Sequence, residues 1–181
     1  MKKFFLLIPS ACLMLHADVP SKMFMLYQKG AYYDACTLGN LNLKKILTSD
    51  KYVSLYAFSC LNADQIDRLN IPATVLNDTP EARANASYFS LLILEKKLLT
   101  QALYDNLPMK SLKLPTSSNL VSKIFDYYCK NPQLGNTIKE YRDNTNPKQT
   151  YKLYTVQIDA HKTFAIDEYY DKILTKHHVY E

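Results

Sequence analysis

The chain has no tryptophan and only three glycines, Gly30, Gly39 and Gly135, in 181 residues. Phosphate-cradling loops and all-β folds with many tight turns need backbone freedom at more positions than that, so helices are expected instead. No Cys-x-x-Cys pair occurs among the four cysteines, which argues against a thioredoxin-like oxidoreductase. There is no serine-centred nucleophile elbow, no phosphate loop and no paired catalytic carboxylate. Apart from adjacent Asp167-Glu168, acidic residues are scattered; Asp64 and Asp67, on one short expected helix, read as a solvated face. The apolar run from Tyr88 is cut by Glu95-Lys96-Lys97, well short of the roughly 18 residues that a membrane span needs.

What is present starts with Lys2-Lys3, followed by an apolar stretch from Phe4 to Leu15 and then by Leu15-His16-Ala17, a site with a small residue where a signal peptidase can cut. Residues 1–17 therefore read as a secretion signal, and the mature protein is expected in the periplasm. Lipid attachment at Cys12 is the weaker alternative, because Pro9 stands where lipoprotein signals usually have Leu or a similar residue. Without the two leader lysines, 20 basic residues face 17 acidic ones, a net +3. That charge is too small and too dispersed to point to nucleic acid.

Export also frames the cysteines. Loss of Cys12 leaves Cys36, Cys60 and Cys129, an odd number in a compartment that oxidises thiols. Cys36 and Cys60 lie on consecutive expected helices, each about three turns from the intervening loop, so an antiparallel hairpin brings them opposite one another. A disulfide is expected there; two unbonded core residues are the alternative. Cys129 follows Tyr127-Tyr128 on an apolar helical face near a helix C-terminus, which disfavours a thiolate, and reads as a buried inert thiol.

The spacing of apolar residues predicts helices over 22–29, 32–47, 51–61 and 119–130, with weaker ones to Leu69 and over 136–142. The longest covers 79–104. There Thr79 caps the start, Pro80 fits the first helical position and Glu81 meets the positive end of the dipole. Its apolar residues face nearly every direction, which predicts a spine with other elements packed around it. Residues 71–76 read as a buried connector. Alternation of Tyr154, Val156 and Ile158 with polar residues marks a strand over 150–159, and 162–166 is expected to return as its hairpin partner. Asp167 is expected to cap a terminal helix over 168–176. The fold expected is mainly α: packed antiparallel helical hairpins with a small C-terminal β-hairpin and a terminal helix. The division expected is a helical-hairpin domain over 18–106, a connecting loop over 107–118 and an α+β part over 119–181.

The segment Gly30-Ala31-Tyr32-Tyr33-Asp34-Ala35 resembles the opening of the second helix in tetratricopeptide-type repeats. The resemblance implies a glycine turn, a tyrosine packed back on the first helix and an alanine at the close crossing. A Lys-, Asn- and Tyr-rich helical chain with a leader is also similar in style to periplasmic proteins of the Campylobacter and Helicobacter group, some of which build accessory disks around the flagellar motor. The implied function is that of a scaffold.

Two functions are therefore weighed. One is a non-enzymatic periplasmic adaptor for other envelope proteins, binding through Tyr27, Tyr32, Tyr33, Tyr52 and Tyr56 and through an edge strand of the C-terminal hairpin. The other is a small envelope enzyme or ligand-binding protein with a pocket between helices and hairpin, using His161, Cys129 and nearby tyrosines. The adaptor is favoured, because no convergent set of titratable residues is visible. No catalytic residue, cofactor or metal site is expected: adjacent His177 and His178 point to different faces of a helix and read as surface residues.

Overall fold

The computed structural model describes residues 18–180; the expected secretion signal and Cys12 lie outside them. Helix α1 (Val19–Gln28) starts where the Asp18 carboxylate accepts from the Ser21 N–H at 3.1 Å, and Pro20 sits in its first turn. Gly30, at φ +74°, turns the chain into α2 (Tyr32–Leu41). The helix expected over 32–47 is broken at Asn42, whose side-chain amide donates to the Leu38 carbonyl at 2.9 Å, leaving a one-turn α3 (Leu43–Ile46). Helix α4 (Asp50–Asn62) then packs on α1 and α2. Gly39 marks the tightest approach: a Cβ there would lie 2.6 Å from Tyr56 Cδ2. Only a residue without a side chain lets Tyr56 seat against α2.

A 3₁₀ turn (Ile66–Leu69) leads into α5 (Asn70–Val75), so the connector expected at 71–76 is largely helical. Helix α6 (Pro80–Tyr104) follows, with Thr79 Oγ accepting from the Ala82 N–H at 3.0 Å. Phe89, Leu92, Leu99 and Ala102 of α6 are fully buried, and the helix contacts α4, α5, α7 (Leu120–Lys130) and the sheet. No helix among the described residues is long and apolar enough to cross a membrane.

The C-terminal part corrects the mainly-α expectation. Among the described residues, seven helices are joined by a four-stranded antiparallel meander, so the fold is mixed α/β, with a sheet where a hairpin and two helices were expected. Its strands are β1 (Ile138–Arg142), β2 (Gln149–Ile158), β3 (His161–Tyr170) and β4 (Ile173–Val179), in sequential order. The predicted hairpin is its centre, with Ile158 opposite His161 across a two-residue turn. The expected helix over 136–142 is β1, where Lys139 and Tyr141 are buried and their neighbours exposed, a period of two. The expected terminal helix over 168–176 is the end of β3, a turn and β4. Asp171 and Lys172 take φ of +48° and +69°, which an α-helix does not allow, and Tyr170 pairs with Ile173 across them. The outer edge strand on this side is therefore β4, beyond the expected hairpin.

A single core cluster runs from Met23 through α6 to Leu153, Phe164, Ile166 and Tyr180, so helices and sheet share one interior. Residues 107–118 carry neither helix nor strand and cross the surface beside α6 and α7.

Candidate functional site

Helices α2 and α4 are pinned by a Cys36–Cys60 disulfide with the two Cα atoms 4.7 Å apart, both cysteines being buried, and α1 packs on both helices. The five tyrosines proposed from sequence fall into different environments on this unit. Tyr27 and Tyr32 meet edge-to-face at 5.1 Å, and the Asn62 amide donates to the Tyr27 hydroxyl at 3.2 Å. Tyr33 is 61% exposed, and Tyr52 is half-buried. Tyr56 is in the core at 1% exposure, its hydroxyl donating to Asn40 Oδ1 at 3.3 Å and its pKa raised by burial. Its assignment to a binding surface is corrected: the spacing that puts Tyr52 and Tyr56 on one helical face cannot tell which turn of that face is covered, and Gly39 opens the space that Tyr56 fills.

Between α1 and α4 lies a groove of about 340 Å³, walled by Pro20, Phe24, Tyr52 and Leu55, with Lys51 at its edge. Phe24 is 50% exposed. Met25, Leu41 and Leu47 of the same unit are exposed as well, giving it several large apolar side chains in contact with water.

His161 and Cys129 are not brought together. His161 lies at the β2–β3 turn, in a depression shared with Asp67, Lys96, Lys162 and Tyr180, whereas Cys129 lines a separate cleft between α6 and α7. The Cys129 thiol is buried, and burial, then Asp126 and Glu95, raise its pKa, which keeps it protonated and a poor nucleophile.

The adjacent histidines have roles that a helical reading hides. On a strand they face opposite sides: His177 Nδ1 is 2.6 Å from Asp167 Oδ1, while His178 lies between Asp64 Oδ2, at 2.8 Å, and Glu168 Oε1, at 3.1 Å. Asp64 belongs to the turn after α4, at φ +60°, so His178 clamps β4 to the helical layer. The Asp64 hydrogen bond raises the His178 pKa, and Glu168 adds to it. Across the sheet, Asp143 gathers the Thr145 N–H and hydroxyl, the Lys123 ammonium and the Tyr151 hydroxyl. These links fasten elements together; among the described residues no group of three or more His, Cys, Asp or Glu side chains is arranged to hold a metal ion.

Compared with protein-family models, curated proteins and solved structures, the chain matches none of them.

Proposed function

We propose that this protein is a non-enzymatic adaptor of a bacterial envelope assembly, working in the periplasm and holding a partner protein on its disulfide-pinned helical unit. The observation that supports this most is the α1–α4 groove, in which a half-exposed Phe24 and Tyr52 form an open apolar wall on a rigid base. An aromatic or aliphatic anchor of a partner buried there supplies the kind of central contact that dominates protein interfaces. Lys51 at the edge favours an anchor flanked by acidic residues. The buried disulfide is compatible with export into an oxidising compartment, and the compositional resemblance described above suggests the surroundings of the flagellar motor as the setting.

The test is affinity capture of tagged protein from envelope fractions. Phe24→Asp puts a charge in the groove without touching the core, so the folded variant should lose the envelope partner that the unmodified protein retains. Recovery of the same partner by the variant, or of no envelope partner by either form, contradicts the proposal.

A further inference from the structure

Helix α6 is a spine of buried apolar residues that also carries two buried charged side chains, Lys96, whose ammonium lies 2.9 Å from Asp67 Oδ1, and Glu95. Glu95, in its middle, is 1% exposed. Its Oε1 accepts from the Ser122 hydroxyl of α7 at 2.9 Å, and its Oε2 has no hydrogen-bond partner among the described residues. A half-satisfied buried carboxyl costs stability, and a Leu or Met of similar volume would pack without that cost. Folding alone gives no reason for the carboxyl.

Its surroundings supply one. Glu95 and Ser122 stand in the wall of a cleft of about 460 Å³ formed by α6, α7 and residues 110–116, a size that suits a small organic ligand. Leu112, Leu114 and Phe125 provide apolar walls, and Lys110, Lys113 and Lys130 provide ammonium groups. Lys130 is committed to Asp126 at 2.5 Å, while Lys110 and Lys113 are exposed and form no ion pair among the described residues. The cleft thus combines a buried, half-satisfied carboxyl in its wall with apolar side chains and two exposed ammonium groups. We infer that it binds a small zwitterion with its charges at opposite ends, an ω-amino acid or a short apolar peptide, whose ammonium pairs with Glu95 and whose carboxylate meets Lys110 and Lys113. An ammonium gives Oε2 the donor it lacks, and the pairing takes place away from water, where such bonds are strongest. Residues 110–116, which line the cleft together with Glu95, have neither helix nor strand, so they can yield to let the ligand reach Oε2.

The experiment titrates the oxidised protein with three probes at neutral pH, followed by amide chemical-shift changes: 6-aminohexanoate, hexylamine without the carboxylate, and hexanoate without the amine. The expected order of affinity is 6-aminohexanoate, then hexylamine, then hexanoate, with shifts confined to α6, α7 and residues 110–116. Glu95→Gln, checked for native chemical shifts, should weaken 6-aminohexanoate about tenfold or more. A Lys110→Ala, Lys113→Ala double variant should weaken 6-aminohexanoate and leave hexylamine unchanged. Binding of hexanoate as strong as that of the amines, unchanged affinity in Glu95→Gln, or no shifts at the cleft with any amine overturns the inference. Should Glu95→Gln not fold, the ranking of the three probes on the unmodified protein decides.

Discussion

Glu95, His178 and Asp143 each titrate away from their ordinary range, for different reasons and with different consequences for stability. Burial pushes the Glu95 carboxyl up from its ordinary 4.5 to about 7, against the Ser122 hydrogen bond. A carboxyl raised in the folded state contributes stability that is complete below pH 4.5 and is lost as pH rises through about 7. His178, raised by Asp64, acts in the same sense: its clamp is complete below its ordinary 6.5 and fades as pH rises above that. Asp143 works in the opposite direction, since hydrogen bonds from Thr145, Lys123 and Tyr151 hold it well below the usual carboxylate range. Its contribution is present above about pH 4 and is lost in stronger acid. The melting temperature should therefore peak in mildly acidic solution and decline toward pH 8. Glu95→Gln should flatten the alkaline decline and stabilise the protein by up to about 3 kcal/mol above pH 7. A melting profile measured by circular dichroism that shows no difference between the two proteins at pH 8 would remove Glu95 as a buried acid.

Elements differ in how much of their identity is carried locally. Helix α6 was legible end to end, because Thr79-Pro80-Glu81 caps it and its apolar residues leave no strand alternative. The pairing of Cys36 with Cys60 was legible for a similar reason: two helices joined by a short connection leave little freedom in register. Strand β4 was not legible. Apolar residues at 169, 170, 173 and 174 fit one helical face, yet the same positions become cross-strand pairs, Tyr169 with Leu174 and Tyr170 with Ile173, once Asp171 and Lys172 make a turn. Pairing with β3 decides between the two, and that is a tertiary contact. The His178 clamp was hidden with it, as was the Glu95 cleft, which needs residues from α6, α7 and a segment without regular structure. At this scale the disulfide makes its own prediction. Closing a separation of 24 residues between α2 and α4 should contribute about 3 kcal/mol, so the double variant Cys36→Ala, Cys60→Ala should lose about that much in urea denaturation. Intact-mass analysis of the native protein after alkylation should find no label on either cysteine, and labelling of Cys129 only after unfolding.

For the molecule as a whole, a continuous core makes the sheet a support for the helices, and the sheet-facing end of α6 is tied down by the Tyr104 hydroxyl, which donates to the Val156 carbonyl at 2.8 Å. On that body the α1–α4 groove is where the proposed adaptor role places an anchor from another protein. Strand β4 presents a second opening: Ile173 and Leu174 are exposed, though Lys172, Lys176 and His177 around them discourage indiscriminate pairing. The most direct measurement is site-specific photo-crosslinking in cells, with the reactive residue placed at Phe24 and, in a separate strain, at exposed Lys97 on α6. A docking role for the groove predicts a discrete adduct with an envelope protein from position 24 and none from position 97. No adduct from position 24, or the same adducts from both positions, would contradict it.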